Sequence, residues 1–407
     1  MQLPTRDRST SLTAALGRWS PWVAGSALSM LLFWVDFTHS TGGKLEDKAF
    51  WGRDFVNLWA GGHLLRAGRA EAIYDVAAYR EYLAALFGPM GGHNYSYPPV
   101  TFPIAQLFSL LPYWLALILW LGSTGALFVW ATRRWWPSGW SPVWLAVLTP
   151  AALMNIWAGH YGFLVGALFL LGWERLDARP WQAGLFFGLM LVKPHLAILV
   201  PLVLLIKDEW KALLSGALTV LALIAATSAA YGWDTWYHFL FGAGTVQAGL
   251  IDAGTSFYGY MSTSLATALL RLTDNPDLAF GAQMLLGIVA VAMVVVAARG
   301  KLPTADLAML VATATFLVLP YAFNYDLTVV MIAAVRLWAD SRATRVERAV
   351  AITGFLSPQI GMLLAPLGIP ATPLMLAALF AAQFNRALGN PAAARGAPAG
   401  ATSMHST

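Results

Sequence analysis

Long apolar runs, separated by short polar segments, dominate the pattern of this sequence. A helix that crosses the hydrocarbon core of a bilayer needs about 20 apolar residues, and fewer where it is broken or packed inside protein. Crossings are predicted at 19–36, 99–132, 142–154, 160–173, 182–192, 196–206, 212–231, 278–298, 305–321, 325–338, 349–366 and 370–385. Pro103 and Pro112 interrupt the second run, and the short middle runs predict broken helices. The pattern predicts an all-α, polytopic transmembrane bundle of about 12 segments.

Two polar segments between the runs are long enough to fold. In segment 37–98, Phe55, Leu58, Trp59, Leu64 and Leu65 recur at helical spacing, and a second amphipathic stretch covers 77–87. We expect both to form helices in the membrane interface. Segment 232–277 is rich in aromatic residues, Gly, Ser and Thr, which predicts a loop or short interfacial helix over a cavity.

The composition agrees with lipid as the main solvent of the chain. Hydrophobic residues make up 58% and charged residues 11% of the sequence, more apolar surface than a soluble domain buries. The 19 Trp and 13 Tyr suit many membrane–water interfaces. The chain has no Cys, which excludes disulfides and thiolate metal sites. Its net charge of +5 requires no nucleic-acid partner, because basic cytoplasmic loops produce such an excess.

Basic clusters predict the orientation, since short cytoplasmic loops collect Lys and Arg. Alternation from a cytoplasmic N-terminus places on the inside the clusters at 133–134, 174–179, 207–211, 299–301 and 342–348. We therefore expect a cytoplasmic tail at 1–18, a single membrane domain at 19–386 and a disordered tail at 387–407, with both termini cytoplasmic. Segments 37–98 and 232–277 then become extracytoplasmic loops. The first run is interpreted as an uncleaved helix because no small-x-small cleavage site follows it.

Polar residues near the bilayer collect at the outer end of this topology. They are Asp54, Tyr97, His160, Lys193, His195, Asn324, Tyr325 and Asp326. A charge at membrane depth costs several kcal/mol and is usually paired or functional, so Lys193 requires Asp54, Asp326 or a ligand phosphate. Because separate segments deliver these groups to one face, the sequence predicts a single cavity there.

Each of these residues also has a structural interpretation. Lys193 could extend to the lipid headgroups or form a bridge with Asp326. His160 could be a satisfied turn histidine, and the prolines after Tyr97 could simply start a helix. Asp54 could cap the helix that follows it.

Five stretches give the chain a family resemblance. They are RDFVNLWAGGHLLRAGRAEAIYD (53–75), YSYPPVTFPIAQLFSLLP (95–112), AGHYGFLVGALFLLG (158–172), GLFFGLMLVKPHLAILVPLVLLI (184–206) and LPYAFNYDLTVV (319–330). In this order and spacing the chain resembles glycosyltransferase family 87, integral-membrane enzymes of the GT-C superfamily. It departs from the family at Gly159-His160, where a Gly-Gln pair is common. It also has Asn324, Tyr325 and Asp326 where some family mannosyltransferases have a histidine.

The resemblance implies a GT-C bundle in the plasma (inner) membrane with its active site outside. It implies transfer of a mannose-like hexose or a pentose from a polyprenyl-phosphate donor to a lipid or glycan acceptor. Asp54 would be the catalytic base of this inverting reaction, and the other seven polar residues would bind substrate. A phosphate leaving group needs cations or hydrogen bonds rather than a strong acid. We expect no cofactor and no metal, since neither an Asp-x-Asp pair nor a Gly-rich phosphate loop occurs.

Two other function classes fit parts of the pattern. A transporter or flippase also has broken helices with intramembrane charges, but it predicts two symmetry-related halves and polar groups distributed through the membrane. A non-catalytic scaffold would leave Asp54 replaceable.

Overall fold

The computed structural model describes residues 8–38, 51–90, 93–139, 141–243 and 257–388. Parts of both predicted outer loops lie outside the described residues. The same holds for the tail that we expect to be disordered, apart from 387–388, which end the last helix.

The described residues are mainly helical, at 79% helix, and contain no β-strand. The α-helices are α1 (Arg8–Thr38), α2 (Phe55–Arg66), α3 (Val76–Phe87), α4 (Phe102–Phe108), α5 (Tyr113–Thr132), α6 (Pro150–Ala158), α7 (Gly162–Arg175), α8 (Pro180–Leu189), α9 (Val200–Ile206), α10 (Trp210–Tyr231), α11 (Asp234–His238), α12 (Phe257–Met261), α13 (Leu265–Thr273), α14 (Pro276–Arg299), α15 (Thr304–Val318), α16 (Thr328–Ala339), α17 (Arg345–Leu364) and α18 (Ala371–Leu388). Short 3₁₀ turns at Met190–Val192, Pro194–Ala197 and Asn324–Asp326 lie between them and matter for the site. The all-α prediction is confirmed.

The helices fall into long and short apolar classes. Among the described residues, four segments are long and apolar enough to cross a membrane: Tyr113–Thr132, Trp210–Tyr231, Pro276–Arg299 and Arg345–Leu367. Shorter apolar helices match most of the other predicted runs. The long run at 99–132 divides into α4 and α5 with a break at 109–112, as Pro112 indicated. The predicted interruption at Pro103 is wrong, because this proline lies in the first turn of α4, where its missing N–H would have no partner in the helix. The chain is thus a helical membrane protein, and its number of crossings remains a prediction.

The middle of the chain contains the predicted broken helices. Between α8 and α9 the backbone leaves helical geometry at Lys193, with φ −150° and ψ 71°. Lys193 precedes Pro194, and the proline ring disfavours helical dihedrals in the residue before it. A second interruption, at 319–327, separates α15 from α16. Both breaks turn polar residues toward the same end of the bundle.

Helix α2 differs from its expected one-sided pattern. Phe55, Val56, Asn57 and Leu58 are all buried, and four consecutive helical residues cover a full circumference. The cause is close packing on α4, since a Cβ added at Gly62 would lie 2.0 Å from the carbonyl oxygen of Ala105. Helix α3 is one-sided as predicted, with only Tyr79 and Leu83 buried.

Candidate functional site

A cavity of about 280 Å³ opens where the interrupted helices meet. Six of the predicted site residues line it: Asp54, Tyr97, His160, Lys193, His195 and Tyr325. They come from five separate segments of the chain. The tertiary structure therefore brings together residues that are up to 271 positions apart, between Asp54 and Tyr325.

Asp54 stands immediately before α2 without capping it. Its side chain makes no capping hydrogen bond, and 12% of its surface remains exposed. Burial raises the pKa of the Asp54 carboxyl above its ordinary value of 3.8, although the nearby charges of His93, Lys193 and Arg53 counteract part of this effect. A carboxylate that faces a cavity and is not used by the backbone is available to a substrate hydroxyl.

Two tight turns fix the position of Asp54. Gly52 and Arg53 both have positive φ angles, 81° and 31°, and the Arg53 guanidinium lies 4.0 Å from the ring centroid of Trp157. The Asp54 N–H donates to the carbonyl of Ala158 at 2.9 Å. Left-handed backbone at a non-glycine residue costs about 1–3 kcal/mol and is concentrated at functional sites.

The facing turn depends on Gly159, which ends α6. Its φ of 66° is left-handed, and an added Cβ would lie 2.7 Å from the carbonyl oxygen of Gly52. Only glycine permits both this conformation and this approach. The close contact sets Asp54 beside the next residue, His160.

His160 contacts groups on both of its ring nitrogens. Its Nδ1 accepts the Tyr161 N–H at 2.8 Å and lies 3.4 Å from Lys193 Nζ. Its Nε2 lies 3.1 Å from the Tyr97 hydroxyl and 3.9 Å from Asp54 Oδ2. The Tyr325 ring stacks on the imidazole with centroids 4.2 Å apart. The His160 ring therefore lies between Asp54, the candidate base, and Lys193.

Lys193 pairs with Asp326 behind the cavity wall. Its Nζ lies 2.7 Å from Oδ1 and 2.6 Å from Oδ2, and the Asp326 side chain has no exposed surface. Asp326 is one of the three partners that the sequence left open for Lys193, and it does not line the cavity. The lysine is not extended toward headgroups, since only 7% of its side chain is exposed.

Asn324 is turned away from the cavity. Its Nδ2 donates to the carbonyl of Pro358 at 3.2 Å, in α17. Within the 3₁₀ turn Asn324–Asp326, successive side chains point about 120° apart. Tyr325 can therefore face the cavity while its neighbours face the protein.

Sequence reasoning missed three polar residues of the cavity, Asn57, Asn94 and Ser96. Asn57 lies three positions after Asp54, and this spacing on a helix already placed both on one face. Asn94 and Ser96 alternate with Tyr95 and Tyr97 in an extended segment. The sequence gives only a weak indication of Asn94 and Ser96, because hydrophobic and polar residues show no regular period over this segment as a whole. Asn94 Oδ1 is buried and has no hydrogen-bond partner among the described residues.

The sequence profile of glycosyltransferase family 87 matches residues 95–320, more than half of the chain. The chain belongs to glycosyltransferase family 87. Neither a curated protein nor a solved structure matches it significantly.

Family 87 membership makes the chain a membrane glycosyltransferase. The matched range includes Tyr97, His160, Lys193 and His195, whereas Asp54 and the turn Asn324–Asp326 lie outside it. For Asp54 and the turn Asn324–Asp326, the assignment to the site is therefore based on their positions in the structure and not on the family match. Among the described residues, no group of three or more His, Asp or Glu side chains could hold a metal ion. The expectation of a metal-free reaction remains a prediction.

Proposed function

We propose that this family 87 enzyme transfers a sugar from a polyprenyl-phosphate donor to a lipid or glycan acceptor, with inversion at the anomeric carbon. The sugar is a mannose-like hexose or a pentose. The reaction takes place at the extracytoplasmic face of the plasma (inner) membrane, in a bundle of GT-C type with cytoplasmic termini.

The main supporting observation is the placement of Asp54. Its carboxylate faces the cavity, forms no capping bond and shares that cavity with Lys193. A base and a cation on one cavity wall are the two groups that an inverting transfer to a hydroxyl requires.

The reaction follows from these positions. The acceptor oxygen forms a bond to the anomeric carbon while Asp54 takes the hydroxyl proton. The bond between the anomeric carbon and the phosphate oxygen breaks, and its electron pair leaves with the lipid phosphate. A donor with a β linkage therefore gives an α product. The raised pKa of Asp54, caused by burial, makes it a stronger base than an exposed aspartate.

Donor binding is assigned to the opposite side of the cavity. Two N–H bonds of the Lys193 ammonium go to Asp326, and its third neighbour, His160 Nδ1, is the most distant at 3.4 Å. A donor phosphate can replace that long contact. The Asn94 oxygen is suited to accept a hydrogen bond from a sugar hydroxyl, and Tyr97, His195 and Tyr325 complete the wall.

The proposal is tested with purified enzyme in detergent or liposomes. Labelled polyprenyl-phosphate mannose is compared with a labelled nucleotide mannose, each with a total envelope lipid extract as acceptor. We expect transfer to a lipid or glycan product from the polyprenyl donor alone. Transfer from the nucleotide sugar alone would contradict the donor assignment. Movement of intact donor across liposomes without any product would favour the flippase.

A further inference from the structure

The neighbours of His160 determine which of its two ring nitrogens carries the proton. The Tyr161 N–H points at Nδ1, and the Lys193 ammonium, which is also a donor, lies on the same nitrogen. A nitrogen that faces two donors must accept, so the hydrogen-bond network assigns the proton of the neutral imidazole to Nε2. Stacking on Tyr325 prevents the ring from turning over.

The Nε2–H is then on the side of the ring that faces the Tyr97 hydroxyl and Asp54, the proposed base. Its neighbours are the Tyr97 hydroxyl at 3.1 Å and Asp54 Oδ2 at 3.9 Å. The Asp54 carboxylate accepts no capping hydrogen bond from the N–H groups of α2, so the helix that follows it does not orient it. At 3.9 Å, Oδ2 lies just beyond hydrogen-bond distance of Nε2. Catalytic hydrogen bonds that are long in the empty enzyme tighten when substrate binds, and the inference requires this of the contact between Nε2–H and Asp54.

We infer that His160 is a positioning residue: its fixed Nε2–H holds one oxygen of Asp54 and leaves the other facing the acceptor hydroxyl. This inference rests on the proposed function, in which Asp54 is the base. Lys193 and the Tyr161 N–H set the tautomer, and the tautomer sets the direction of the donor. The Tyr161 N–H keeps this tautomer also when a donor phosphate replaces the contact between Lys193 and Nδ1.

The charged and titratable groups that face His160 come from every segment around it. They are Asp54, Tyr97, Tyr161, Lys193, His195, Tyr325 and Asp326. The charges that act on the Asp54 carboxylate itself are those of His93, Lys193, Arg53 and Asp326. His93, Lys193 and Arg53 act on the Asp54 carboxylate through their charges, whereas Nε2–H acts on it as a hydrogen-bond donor once the contact tightens. A donor to the carboxylate favours its ionised form.

Three substitutions separate this role from simple packing. In His160→Gln the amide nitrogen reaches the position of Nε2, whereas in His160→Asn the amide reaches only the position of Nδ1. His160→Ala removes both. We expect His160→Gln to keep kcat within a few-fold of the wild type, and the Asn and Ala variants to lose about 100-fold, with little change in donor KM.

The pH profile of kcat/KM distinguishes the two roles, because loss of packing alone would not shift it. Loss of the Nε2–H donor makes the Asp54 carboxylate less stable, so its pKa rises and the acidic limb moves to higher pH in the Asn and Ala variants. His160→Gln should restore the limb to its wild-type position. Equal losses in all three variants with an unmoved limb would overturn the inference, and so would wild-type kcat in His160→Ala.

The same assay distinguishes the two proposals. If Asp54→Asn retains activity, the assignment of the base fails, and the inference about His160 fails with it. If Asp54→Asn is inactive while His160→Ala and its pH limb match the wild type, only the positioning role fails.

Discussion

At the scale of residues, the site combines the Asp54 carboxylate, which does not cap a helix, with the buried ion pair of Lys193 and Asp326. Asp54 faces the cavity with 12% of its side chain exposed, while Asp326 is completely enclosed. Two acids with such different surroundings suit different tasks, one exchanging a proton and the other holding Lys193. The family resemblance assigned the base to Asp54, but the sequence left open which carboxylate pairs with Lys193, because local spacing does not reveal which one a distant lysine reaches.

The Lys193–Asp326 pair predicts how donor binding responds to substitution. Lys193→Ala should weaken binding of the polyprenyl-phosphate donor by about 10- to 100-fold, the typical loss of a hydrogen bond to a charged group. It also leaves Asp326 buried and unpaired, which costs about 3–5 kcal/mol of stability. Donor affinity is measured by titration monitored with intrinsic Trp fluorescence.

A double variant separates these two effects. Lys193→Ala with Asp326→Asn removes the unpaired charge, so stability recovers while donor affinity stays low. Recovery of donor affinity in the double variant would show that Lys193 is a structural bridge and not a phosphate ligand.

At the scale of elements, interruptions in helices build the site. The breaks at Lys193 and at 319–327 and the turn at Gly159 each deliver a side chain to the cavity. Prolines announce the first two breaks in the sequence, since their ring restricts the preceding residue. The burial of α2 was not predictable in the same way. It arises from contact of Gly61 and Gly62 with Tyr95 and α4, and apolar periodicity carries no information about how closely two backbones approach.

The contact between α2 and α4 predicts the effect of one methyl group. Gly62→Ala places a Cβ 2.0 Å from the Ala105 carbonyl oxygen, so the helices must separate at a cost of about 1–3 kcal/mol. We expect a lower thermal midpoint in detergent, measured by fluorescence-detected size exclusion, together with reduced transfer because Asp54 immediately precedes α2.

Gly122→Ala is the matched control. Gly122 lies within α5, and an added Cβ meets nothing within 4 Å there. Alanine is favoured over glycine in a helix by up to about 1 kcal/mol, so this variant should match or exceed the wild type. Equal midpoints for the two variants would contradict the packing described for α2.

At the scale of the whole molecule, the described helices place the polar cavity that contains Asp54 at one end of an apolar bundle. Positive-inside charge is the only sequence signal for which end faces the cytoplasm. The ion pairs of Asp340 and Glu347 with Arg386 lie among the basic residues of the predicted inner side. The all-α fold class followed from hydropathy and is confirmed, whereas the number of crossings stays a prediction, because broken helices and true spans have similar composition.

The absence of cysteine makes the topology directly measurable. Glu71 and Arg342 are both exposed, and the topology places them on opposite sides of the membrane. In intact cells, or in spheroplasts if an outer membrane is present, a membrane-impermeant maleimide should label Glu71→Cys. Arg342→Cys should be labelled only after the membrane is permeabilised. The reverse pattern would place the cavity on the cytoplasmic side and contradict an extracytoplasmic active site.

The most direct test of the central claim is the rate of sugar transfer by Asp54→Asn from a radiolabelled polyprenyl-phosphate sugar. The control is Asp75→Asn, the same change at the exposed cap of α3, where an Asn oxygen can still accept from the N–H groups of Ala77 and Ala78. Loss of a general base predicts that Asp54→Asn is slower by about 100- to 10,000-fold, with an unchanged thermal midpoint and unchanged donor binding. The control should transfer at the wild-type rate. Transfer by Asp54→Asn at nearly the wild-type rate would contradict the assignment of Asp54 as the base.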